Sequence, residues 1–296
     1  MMDTTVATKA KTRLGELTAG EMREILPRRP VILLPLGSHE DQGPHAPMGD
    51  YLSAERVAEH IAASATKAGT PTLVAPVLPF GGADFFASMP GGISLSQSTL
   101  RAVLTDMLAC LMRHGLDRIV VVNGHAGNVQ AIHDCTQLLW LEDRVLVPSL
   151  YLWRVGYGML PSILGPDIAR QAAGHGADPL TSVAMHLFPE LIRPDLVPDP
   201  QPAPVVEGMT VSGFGTATFE GVELAVPFEV EQIAPNGVFS GDPRLSSPET
   251  GAMLVERLTE IGARLAIHVA ALRPHGVCVN KHRTGTPPES GCNRLI

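Results

Sequence analysis

Residues 31–50 read VILLPLGSHEDQGPHAPMGD, an apolar run that gives way at Gly37 to acids, imidazoles, Gly and Pro. A short, continuously apolar run rich in Val, Ile and Leu reads as a strand covered on both faces, as in a parallel sheet. Three more runs have that character: TLVAPVLPF at 72–80, RIVVVNG at 118–124 and RVLVPSLYLW at 144–153. Between them, SAERVAEHIAASATKAG (53–69) and SQSTLRAVLTDMLACLMRHG (96–115) carry helical spacing. In the second, Leu100, Val103, Leu104, Met107, Leu108 and Leu111 share one side and Gly115 supplies a stop. Alternating strands and helices predict a three-layer α/β/α fold with a mostly parallel central sheet. Ligands in such folds sit beyond the carboxyl ends of the strands. That is where residues 38–50 begin.

Further along, ADPLTSVAMHLFPELI (177–192) reads as helix, with Pro179 tolerated in its first turn. The chain is then Pro-rich, and GTATFEGVELAVPFEVEQI (215–233) reads as strand or hairpin. Residues of about 195–240 are expected to form an insertion or flap on a single domain spanning 1–272. SSPETGAMLVERLTEIGARLAIHVAAL (246–272) is a long amphipathic helix opening close to a Ser-x-x-Glu box. Residues 273–296 hold too little apolar content to pack alone and are expected to be a mobile tail.

Composition limits the chemistry. With 22 basic against 30 acidic residues among 296, the net charge is −8, and no long basic run offers a footprint for nucleic acid. A small molecule or a protein is the expected partner. No apolar stretch reaches the roughly 20 residues of a membrane span, and MMDTTVATKAKTRLGEL at the start has no secretion-signal core. The expected compartment is the cytoplasm. Cys110, Cys135, Cys278 and Cys292 form no C-x-x-C pair, so a metal here would use nitrogen and oxygen ligands.

Three loops carry groups suited to one. Glu40, His45 and Asp50 lie on a loop stiffened by Pro44 and Pro47; His125 follows the 118–124 strand in VVVNGHAGN; His175 and Asp178 sit in GHGADPLTS. Each has a plainer reading. Glu and Asp near turns are commonly solvated, a lone loop His is commonly hydrogen-bonded, and Asp178 is placed to cap the following helix. If the loops converge, Glu40, Asp50, His125 and Asp178 would hold one or two divalent ions, which lower the pKa of bound water toward about 7. The glycine-rich stretch 81–92 is a candidate pocket rim. No G-x-G-x-x-G, Walker or G-x-S-x-G pattern occurs.

Five ordered segments together resemble the creatininase family: LPLGSHEDQGPHAPMGD, MPGGISL, HGLDRIVVVNGHAGN, GHGADPLTS and GVFSGDPRLSSPETG, over about residues 15–265. The resemblance implies a creatininase-like α/β/α layer and a homo-oligomer, commonly a hexamer. It also implies metal-activated water acting on a small cyclic amide, lactone or related carbonyl compound, with Zn, Mn or Fe as the ion. Carried over by position, Glu40, Asp50 and His125 hold the first ion and Asp50 bridges to a second. The family's second site normally uses a His two residues after the Glu, and here that residue is Gln42. The resemblance then points to Asp178 for a rebuilt second site, with His39 or His45 brought in by a shorter loop, and to His175 as proton donor to the leaving group. Segments 80–92 and 151–175 do not match creatininase clearly, so creatinine is not the expected substrate. The contrasting expectation is a metabolite-binding protein that keeps the scaffold without catalysis.

Overall fold

The structure is a computed structural model that describes residues 11–82 and 89–272. The expected C-terminal tail, 273–296, lies outside the described residues, as does part of the candidate rim at 81–92. In chain order come α1 (Ala19–Ile25), β1 (Val31–Leu36), α2 (Tyr51–Lys67), β2 (Thr72–Val74), α3 (Gln97–Arg113), β3 (Ile119–Asn123), α4 (Val129–Asp143) and β4 (Ser149–Tyr151). These are followed by α5 (Leu152–Leu164), α6 (Pro166–Ala172) and α7 (Leu180–Leu187). A second set of strands, β5 (Val205–Val206), β6 (Met209–Gly213), β7 (Thr216–Phe219) and β8 (Val222–Ala225), precedes α8 (Val230–Ile233) and α9 (Pro248–Ala271).

The first four strands form one parallel sheet in the order β2-β1-β3-β4, with β1 paired to β3 along its length from Ile32↔Ile119 to Leu36↔Asn123. Every residue of β1 is buried, which a strand in the middle of a two-sided layer requires. Its side chains divide between two cores. Val31 and Leu33, with Val120 and Val122 of β3, meet Val57 and Ile61 of α2 and Leu254 and Leu258 of α9. Ile32, Leu34 and Leu36, with Ile119 and Val121, meet Leu100, Leu104 and Leu108 of α3 and Ile132 of α4. Alternation along each strand thus builds the three layers, at about 1.5–3 kcal/mol for each large side chain removed from water.

The strands are shorter than the apolar runs that announced them. In 72–80, pairing stops at Val74 except for an isolated bridge between Leu36 and Leu78. Pro76 and Pro79 lack the N–H a ladder needs. In 144–153 only Ser149–Tyr151 pairs; Arg144 closes α4 with a left-handed φ of 55°, and Leu152 and Trp153 already belong to α5. The stretch 205–225 forms its own antiparallel sheet in the order β5-β6-β7-β8. At the start of α9 the capping hydroxyl is that of Ser247, accepting from the Thr250 N–H, so the Ser-x-x-Glu pairing of Ser246 with Glu249 is not the box used. No helix among the described residues is long and apolar enough to cross a membrane.

Candidate metal centre

The site is assembled at the carboxyl ends of β1 and β3, because two glycines let backbones meet there. A Cβ on Gly37 would collide with the backbone of Tyr51, at the first turn of α2. One on Gly124 would lie 2.7 Å from the Asp50 carbonyl oxygen. Gly124 N–H in turn donates to the Leu36 carbonyl at 2.8 Å, locking the two strand ends together. Asparagines complete the frame. The Asn123 side chain accepts from His125 N–H at 3.1 Å and donates to the His125 carbonyl at 2.7 Å. Asn128 donates to the Gly37 carbonyl at 3.1 Å and accepts from Gly82 N–H at 2.8 Å, which ties in the chain beyond β2.

Inside this frame Glu40, Asp50 and His125 converge, each at most 6% exposed. One ligand atom from each lies within 4.8 Å of the others, and they form the one such group among the described residues. His125 Nδ1 is 3.1 Å from Glu40 Oε1 and 3.2 Å from Asp50 Oδ2. Its Nε2 is 2.9 Å from the Gly82 carbonyl oxygen. A carbonyl can only accept, so Nε2 carries the hydrogen, and in the neutral ring the lone pair is on Nδ1, facing both carboxylates. Asp50 stands at the N-cap of α2, yet its side chain makes no cap bond; Oδ1 instead accepts from Ser38 N–H at 2.7 Å.

The charges explain what the trio wants. Burial works against the His125 cation, but the Glu40 and Asp50 carboxylates outweigh it and raise the ring well above the ordinary imidazole value. Burial likewise opposes the Glu40 carboxylate, and His125 overcomes it, leaving that group below its usual range. For Asp50, burial wins and pushes the carboxyl up to about 7. Two buried carboxylates and one imidazole therefore crowd around a place where positive charge is stabilised, and a proton on Nδ1 can be exchanged for an ion. Oxygen and nitrogen donors at this spacing suit a divalent transition metal.

Of the remaining predicted residues, His175 stands within electrostatic reach of Glu40 and His125 without joining the trio. His175 Nε2 donates to the Asp41 carbonyl at 2.9 Å, its backbone pairs with Phe239, and the Phe214 ring packs edge-on with centroids 5.2 Å apart. Burial holds this ring below its usual pKa, so it is neutral near pH 7. His45 is enclosed, with Nε2 3.2 Å from Thr181 Oγ1, and His39 packs against Tyr51 at 5.9 Å.

Asp178 does not join the three ligands, contrary to the expectation that four side chains would converge. Its Oδ1 accepts from Ser182 N–H and Oγ and, at 2.7 Å, from Ser246 Oγ. Ser182 Oγ also accepts from Ser247 N–H at 2.9 Å, so Asp178 ties the start of α7 to that of α9. The plainer reading, a helix-capping carboxylate, describes its contacts.

Beside Asp50 a pocket opens, with Gln42, Pro47, Trp153, Leu180, Thr181 and Phe188 in its wall. Sequence reading missed Thr181 as a pocket residue, since it lies inside a predicted helix and bears no local signal of lining a cavity.

The family model described as Creatininase: Creatinine amidohydrolase matches residues 15–266. A mycofactocin precursor peptide peptidase of Mycobacterium ulcerans is 31% identical over 202 residues, 66% of this chain and 73% of the relative. A creatinine amidohydrolase of Pseudomonas putida is 30% identical over 212 residues, 64% of this chain and 77% of its own. Among solved structures, a manganese creatininase superposes with a TM-score of 0.68 at 24% identity, covering 88% of this chain and 99% of its own. A mutant creatininase described as Zn-Zn type gives the same values, 0.68, 24%, 88% and 99%.

Proposed function

This chain belongs to the creatininase family, and from that premise we propose that it is a metal-dependent hydrolase of the C–N bond of a small amide, cyclic or peptide-like. The meeting of Glu40, Asp50 and His125 at one buried point carries the reading. A divalent ion held there, Mn, Zn or Fe, would supply Lewis-acid polarisation of a carbonyl oxygen and a water reactive at neutral pH. Amide hydrolysis is favoured over ester hydrolysis because the similar proteins include a peptidase and an amidohydrolase by name.

The protein's own groups have the following parts. Glu40, Asp50 and His125 would hold the ion, and the Gly82 carbonyl fixes the His125 tautomer. His175, neutral and donating from Nε2 to Asp41, takes a proton at Nδ1 from the attacking water and returns it to the departing nitrogen. The backbone pairing with Phe239 and the edge of Phe214 hold that ring in place. Pro47, Leu180 and Phe188 exclude water from the substrate's apolar part, while Gln42 and Thr181 supply polar atoms.

The test pairs two measurements. Metal content of purified protein is compared with that of His125→Ala and Asp50→Ala, and hydantoins, lactams, formamides, lactones and short peptides are screened for hydrolysis with and without chelator. The expected result is bound metal lost in both variants and chelator-sensitive cleavage of an amide. Metal content unchanged in both variants would discard the ligand set. A ligand that raises the melting temperature yet stays intact, with no metal-dependent turnover, would favour a binding protein instead.

A further inference from the structure

We infer that this centre is built for a single divalent ion, with the neutral amide of Gln42 donating to Glu40 from the sequence position where the family resemblance has a histidine for a second ion. The inference rests on the proposed ligand set and concerns how many ions that set can hold. Gln42 Nε2 donates to Glu40 Oε1 at 3.2 Å. A carboxylate offers no hydrogen, so this contact settles which way round the amide lies: N–H toward Glu40, carbonyl away. That carbonyl oxygen is buried, has no hydrogen-bond partner, and belongs to a residue that is 5% exposed and lines the pocket.

Several of the oxygens a second ion would call upon already have contacts. Glu40 Oε1 takes the Gln42 amide and faces His125 Nδ1. Asp50 Oδ1 takes Ser38 N–H, and Oδ2 faces the same Nδ1. Asp178 Oδ1 is held by Ser182 and Ser246; its Oδ2 is buried without a hydrogen-bond partner, but Asp178 is not among the side chains whose ligand atoms converge. No second cluster of three ligand groups occurs among the described residues. The N–H edge of Gln42 supplies partial positive charge to Glu40, so the carboxylate is compensated there without another cation. An amide is also a weaker donor to a transition metal than imidazole. Gln42 is thus a positioning residue: it orients Glu40 toward the single ion.

Full-length protein is incubated with excess Mn or Zn, desalted, and assayed by elemental analysis. The manganese form is examined in parallel by electron paramagnetic resonance, which separates an isolated ion from a coupled pair. The same is done for Gln42→His and Gln42→Ala. One ion per chain with an isolated-ion spectrum in the wild type, and two coupled ions in Gln42→His, is the expected result; Gln42→Ala should keep one ion with weakened affinity. Two ions in the wild type would overturn the inference while leaving the hydrolase reading intact. No ion in the wild type would remove both. One ion in Gln42→His would overturn the role given to Gln42, provided its melting temperature matches the wild type.

Discussion

Asp50 occupies the N-cap of α2 but spends its carboxylate on Ser38 and His125. An Asp in that position ordinarily contributes about 1 kcal/mol by capping, so its diversion marks a residue placed for the site. The sign of its titration can be tested in metal-free protein. The Asp50 carboxyl rises from 3.8 to about 7 on folding, so the folded state favours its protonated form and loses stability as pH climbs through that window. His125 is raised above 6.5, so its contribution is full below that value and is lost as pH rises through the higher folded one. Glu40, lowered below 4.5, acts only on the acid side. Chelator-treated protein should therefore melt at lower temperature at pH 8 than at pH 5.5. Metal-loaded protein should not follow it, because ion binding displaces the proton and strengthens with pH, by about tenfold per unit for one proton. Calorimetry across that range, with and without chelator, checks both. Asp178 calls for a different outcome. Asp178→Ala should lower stability by about 3 kcal/mol through its abandoned Ser182 and Ser246 donors, and Asp178→Asn by less, with metal content unchanged in both. Loss of bound metal in Asp178→Asn would return that residue to the ligand set.

Two elements deliver groups that their own sequences do not advertise. The chain after β1 can touch α2 because Gly37 has no Cβ where Tyr51 comes closest. Gly37→Ala should push the start of α2 away, costing about 1–3 kcal/mol and weakening metal binding together, since Asp50 rides on that turn. Isothermal titration and denaturant melts on one preparation would show whether the two losses coincide. The connection between β6 and β7 acts at longer range: Phe214 lies against His175, a residue far from it in sequence. Phe214→Ala should lower kcat about tenfold by loosening the ring proposed to carry the proton, without changing metal content. Comparison of turnover with elemental analysis separates the effects.

At the scale of the molecule, an ion bound at the trio would support the fold, since a ligand that binds only the folded state stabilises it. Metal at one hundred times its dissociation constant should add about 2.7 kcal/mol, seen as a rise of several degrees in melting temperature that EDTA reverses. No shift at saturating Mn, Zn or Fe would mean that the trio does not bind these ions in solution. The parallel sheet was legible because strands buried on both faces must be apolar at every position, a local property that VILLPL and IVVVN display. The candidate trio of Glu40, Asp50 and His125 was legible because their loops follow those strands and repeat a family's motifs in order. The work of Asp178 was not, since an acid before a proline looks the same whether it holds a metal or two helices. Local composition alone set the layers and the edge at which chemistry occurs. Which side chains share a point was decided by packing, because residues separated by much of the chain meet only where glycines, asparagine bridges and helix starts bring their backbones within a few ångströms.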